Sequence, residues 1–106
     1  MGRFEQRLRA RLKNPEFASG YREMTAEIDL IRALDEAREQ LHISKEELAT
    51  RTGKRRESVS RLLNTEEANP TLDTITGLVS ALGLTADITL RRAENDEAPI
   101  KVTVAL

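Results

Sequence analysis

The chain has no cysteine and no tryptophan, one histidine (His42), two phenylalanines and one tyrosine in 106 residues. Without thiols, disulfides and zinc fingers are excluded, and a lone imidazole leaves only carboxylates to build a metal site. No metal or cofactor is expected. With so few aromatics, the core must be built from Leu, Ile, Val and Ala. No apolar run approaches the roughly 18 residues of a membrane span, and no apolar stretch follows the basic N-terminus as a secretory signal requires. A soluble, unexported, cytoplasmic chain is expected. Its length allows one compact domain with appendages.

The formal net charge of -1 argues against a nucleic-acid partner only if charge is spread evenly, and it is not. Residues 1–24 carry net +3, residues 25–43 net -3, residues 44–64 net +3 and residues 65–106 net -4. A local positive face is what phosphates respond to, and the middle segment has one.

Apolar spacing predicts helices through most of the chain. Phe4, Leu8 and Leu12 recur at i, i+4, i+8 among Arg3, Arg7, Arg9 and Arg11, and Asn14-Pro15 ends that first helix. Phe17, Tyr21 and Met24 begin a second run. It resumes from about residue 25 with Ile28, Ile31, Leu34, Ala37, Arg38 and Leu41 as the longest helix. Ser44 and Glu47 form a capping box for a helix from Lys45, which Gly53 stops. Another short helix covers about 55–63, with Val59, Leu62 and Leu63 inward. Thr71 caps a last one carrying Leu72, Ile75, Leu78, Val79 and Leu82, and Gly83 closes it. After Thr85 the period changes to two: Ile88 and Leu90, then Ile100, Val102, Val104 and Leu106, read as two strands joined by the polar link AENDEAP. Two strands alone are marginal, so a second chain or partner is expected to complete the sheet. The resulting organisation is an N-terminal helical extension (1–24), a helical domain (25–85) and C-terminal β strands as a candidate dimerisation element (86–106).

The informative segment is SKEELATRTGKRRESVSRLLN, residues 44–64. Two short helices that cross steeply need a small residue where they approach, a glycine in the turn and a branched residue to lock the second onto the first. Ala49, Gly53 and Val59 supply these in order, with Leu48 and Leu62 around them. A helix so placed fits the DNA major groove.

From Ser44 through Leu84 the order of capped helix, Ala, turn Gly, SVSR helix, NPTLDT and ALGL resembles the Cro/CI-type (XRE) helix-turn-helix. The resemblance implies an all-α, five-helix fold whose second motif helix reads bases while its flanks grip phosphates. On this chain that maps to Arg55, Arg56, Glu57, Ser58, Ser60 and Arg61, with Lys45 and Lys54 as phosphate contacts. The residue chemistry agrees, since Arg pairs bidentately with guanine, and Ser bonds to bases or phosphates. Three positions depart from the family pattern. Lys45 stands where Gln is common, Lys54 where an apolar residue is usual, and Arg55 where a Ser or Thr caps the helix. Beyond Asn64, Thr65-Glu66-Glu67 would repel phosphate.

The leader, LKNPEFASGYREMTAEIDLIRALDEAREQLHIS, resembles that of HigA-type antitoxins. These bind a RelE/HigB-like mRNA-cleaving toxin and repress their own operon as dimers. The resemblance implies that Phe4, Leu8, Leu12, Phe17 and Tyr21 contact a toxin; packing on the chain's own core is the competing reading for the same residues. A prophage or host repressor without a toxin, and a protein-interaction adaptor that does not bind DNA, are the alternative functions. An enzyme is not expected. Ser58 and Ser60 have no nearby base, and the adjacent acids Glu46-Glu47 and Glu66-Glu67 diverge in solvent without an apolar setting to tune them.

Overall fold

The computed structural model describes residues 2–64 and 69–106. The chain enters as a helical pair. Helix α1 (Arg3–Leu12) lies against α2 (Pro15–Gln40), and the short link between them holds Asn14, whose side chain accepts from the backbone N–H groups of Glu16 and Phe17. Pro15 suits the first helical position because that residue needs no N–H there. Helix α2 runs unbroken through residues 24–25, so the extension and the following domain share one helix.

Three more helices share a core with the C-terminal part of α2: α3 (Lys45–Thr52), α4 (Arg56–Leu62) and α5 (Leu72–Ala81). Their core joins Leu34, Ala37, Ile43, Leu48, Ala49, Val59, Leu63, Leu78 and Leu82, with Val59 fully buried at 0% exposure. Leu72, part of the apolar pattern of α5, instead lies 74% exposed at the first position of that helix. Three helix ends turn out through a left-handed residue followed by an i to i-5 backbone bond. Lys54 N–H donates to Ala49 after Gly53, Leu84 to Val79 after Gly83, and Ile43 to Arg38 after His42. Glycine suits the positive φ in the first two. His42 adopts φ 55° without that freedom, and its turn delivers Ile43 to the core.

The expected C-terminal β element is not formed: among the described residues there is no strand. The two alternating runs do not exchange backbone hydrogen bonds. Instead, a turn at Glu94–Glu97, with Asn95 at positive φ, gathers Arg91 and Lys101 onto the Glu97 carboxylate at 2.7 and 3.0 Å. Beyond the turn the chain is laid along α2. Asp96, within the turn, reaches Arg22 at 3.8 Å; after it Ala98, Ile100, Lys101 and Val102 line a groove with Asp29, Arg32, Ala33 and Glu36, and Val104 packs on the main core. An extended segment packed on a helix shows the same period-two pattern as a sheet strand, which is why the pattern misled.

Candidate nucleic-acid interface

The site is built from the two short helices α3 and α4. Ser44 caps α3 by accepting from Glu47 N–H at 3.0 Å. The reciprocal half of the capping box is not made, because the Glu47 carboxylate turns to Arg51 at 2.7 Å. Arg51 also donates to the Ala81 carbonyl at 3.0 Å, tying α3 to the end of α5. At the end of α2, Arg38 does similar work: its guanidinium donates to Asp35 and to the Ile43 carbonyl, both at 2.9 Å, and fixes the approach to α3. These two arginines are therefore framework cations. Helix α4 is locked by Val59 and Leu63 on its inner side, and Arg55 stands at its N-cap without a side-chain cap bond.

While Val59 and Leu63 point inward, Arg56, Glu57, Ser60, Arg61 and Asn64 together line one shallow depression on the accessible side of α4. Four of these were expected from the sequence. Asn64 was not, although it continues the same face one turn after Ser60 and Arg61. Its amide offers both donor and acceptor, the combination that reads adenine in the major groove. The other expected residues lie around this face rather than on it. Lys54 and Arg55 are exposed in the connection before α4, Lys45 is half-buried at the start of α3, and Ser58 is half-buried on a flank of α4. Glu46 of α3 stands 3.7 Å from Arg56 across the junction, both side chains being well exposed. A contact so exposed is weak, so Arg56 can exchange it for a phosphate or base. Glu66 and Glu67 lie outside the described residues.

The five apolar leader residues lie on α1 and the first turns of α2. Phe17 and Tyr21 rings stack at 6.3 Å, the Arg11 guanidinium lies 5.7 Å over Phe17, and Leu8 and Leu12 are half-buried. Phe4 is 78% exposed, and α1 has no buried residue. His42, given no role from sequence, is a helix-ending residue.

Among the described residues, no group of three or more His, Asp or Glu is arranged to hold a metal ion, and no helix is long and apolar enough to cross a membrane. No curated protein and no solved structure matches the chain. A family model described as helix-turn-helix matches residues 34–88, just over half of the sequence and the whole of the α3–α4–α5 unit with the end of α2 that supports it. The chain belongs to the XRE-type helix-turn-helix family of DNA-binding transcription regulators.

Proposed function

We propose that the chain is a sequence-specific transcriptional repressor that binds its operator as a homodimer. The observation that carries the reading is the accessible side of α4, where Arg56, Ser60, Arg61 and Asn64 line one shallow depression while Val59 of the same helix is fully buried. A helix anchored by Val59 and Leu63 that carries polar and cationic side chains on its accessible side has the dimensions to enter the major groove. Lys45, Lys54 and Arg55 would hold the flanking phosphates, Glu57 accept from cytosine, and Ser58 contact the backbone from the flank. Two such helices related by a two-fold axis fall about 34 Å apart on one face of DNA. Footprinting on the DNA upstream of its own reading frame tests this. Two protected major-groove windows about one helical turn apart are expected, and uniform protection without windows contradicts sequence-specific repression.

The antitoxin role belongs to the same proposal. Phe4, 78% exposed, stands one turn before the half-buried Leu8 in a strongly basic helix, and with Leu12, Phe17 and Tyr21 it supplies the apolar side chains that suit docking on a toxin ribonuclease. Co-expression with the product of any adjacent small basic reading frame tests it. Rescue of growth by the wild-type chain, lost with Phe4→Asp, is expected; toxicity unchanged by the wild-type chain leaves a repressor without a toxin partner.

A further inference from the structure

Charge in the first helix is not balanced by its own chain. Residues 3–13 carry Arg3, Arg7, Arg9, Arg11 and Lys13 against a single carboxylate, Glu5, and all six side chains are exposed. Among the described residues none of these five cations pairs with a carboxylate, whereas Arg22, Arg38, Arg51, Arg56 and Arg91 each meet one at 2.7 to 3.8 Å. Arg3, Arg7 and Arg11 recur every four residues, so they form one ridge along α1, each about 6 Å from the next. The ridge is also held in place. Asn14 caps the start of α2 right after α1, and the Arg11 guanidinium lies 5.7 Å over the Phe17 ring.

The make-up of that surface selects its occupant. Leu8 and Leu12 are half-buried, and Phe4 is the one large apolar side chain of α1 that stands well exposed. A helix that lies in a lipid interface needs a continuous apolar face, which one side chain does not make. A regular row of like charges instead complements a regular row of anions. Duplex DNA is such a partner, with a phosphate about every 3.4 Å of axis on each strand, and arginine is the cation whose donors best match phosphate geometry. Phe17, beneath Arg11, precedes Leu34, where the main core begins, by 17 residues of one unbroken helix, about 25 Å of α2. That length equals about seven base pairs of duplex.

We infer that Arg3, Arg7 and Arg11 form a second, sequence-independent DNA contact, which grips backbone phosphates flanking the groove windows of α4. This rests on the reading of α4 as the groove-entering helix and adds an anchor outside it. The ridge lies roughly 100° round α1 from the row of Phe4, Leu8 and Leu12, so a protein on that row and a duplex on the ridge are separate contacts.

The test is a salt series of the full chain on three duplexes: the operator cut to the α4 windows, the same operator extended by about one helical turn at each end, and a random sequence. In the Arg3→Ala, Arg7→Ala, Arg11→Ala variant, α1 keeps its helix, because alanine is the better helix former and α1 buries no residue that the core needs. Circular dichroism checks this. The variant should lose the wild type's several-fold preference for the extended over the cut operator. Its slope of log affinity against log salt on the extended operator should flatten by about 2.7 per bound chain. The Arg3→Lys, Arg7→Lys, Arg11→Lys variant should keep the wild-type slope, since its charges remain. An alanine variant with the wild-type slope, or a wild type that binds the cut and extended operators equally, overturns the ridge. So does tighter binding to phosphatidylglycerol vesicles than to random duplex at equal phosphate, which would make α1 a lipid-binding helix. A wild type that forms no specific complex, yet binds random duplex in a way that the alanine variant weakens, loses the reading of α4 and keeps α1 as a phosphate contact.

Discussion

Between Leu34 and Leu84, the helix ends are closed by specific devices everywhere but at α4. Ser44 and Thr71 cap the starts of α3 and α5, and His42, Gly53 and Gly83 turn the chain out of α2, α3 and α5. Outside that stretch, α1 has no buried residue, and from Thr85 to Leu106 a single backbone–backbone hydrogen bond, Glu97 to Glu94, is made among the described residues. The first region is held by its own interior and can present α4 rigidly. The flanking regions leave apolar side chains in water that the interior does not need, and this is the property expected of surfaces made for other chains.

Core truncation should widen that contrast most. Leu78→Ala, at a side chain 1% exposed in the centre of the core, should cost about 2–5 kcal/mol, whereas Phe4→Ala should stay within about 0.5 kcal/mol. Thermal unfolding of the two variants checks this, and a comparable loss in both would mean that α1 belongs to the same core. Next in size, Ser44→Ala should cost about 1 kcal/mol by removing the α3 cap, measured by urea unfolding. His42→Gly should act in the opposite direction and raise the unfolding free energy by up to about 1 kcal/mol in the same measurement, since glycine takes the positive φ without steric cost.

The smallest effect is confined to the tail. Hydrogen bonds from Arg91, then the Glu94 N–H and Lys101, hold the Glu97 carboxyl well below the usual carboxylate range. A depressed pKa favours the folded clasp wherever the unfolded carboxyl is ionised. The contribution is therefore complete above the ordinary value near 4.5 and is lost as pH falls below it. Amide exchange at Glu94 and Glu97 should accelerate in acid while the α3–α5 core keeps its protection. Loss of both together would join the tail to the core's cooperative unit.

What was legible in the sequence was local. Ser44, Gly53, Thr71 and Gly83 act through bonds to residues three to five positions away, and each stands where its turn requires it. The inward residues of α3 and α4 followed from the period of 3.6, whereas the candidate DNA contacts on α4 came from the resemblance to the helix-turn-helix family. Asn64 carries no charge and lies past the last cation of α4, so neither charge nor the family resemblance marked it. His42 carried no glycine to mark a left-handed position. The bond from Arg51 to the Ala81 carbonyl joins residues 30 apart, a pairing no spacing rule contains. The tail was misread for a different reason. Alternation records that a segment is extended with one apolar face; it does not say whether that face meets a strand, a helix or a second molecule.

The account turns on α4 as the DNA-reading element. The most direct test is a mobility-shift titration of the upstream operator over a salt series, with wild type and the Arg56→Ala, Arg61→Ala double variant. Wild type should bind specifically, with log affinity falling linearly in log salt. The double variant should lose about 2–6 kcal/mol where the arginines read bases, or flatten the salt slope by about two where they hold phosphates. Absence of a specific complex at low salt, or a double variant that binds with wild-type affinity and slope, would contradict the account.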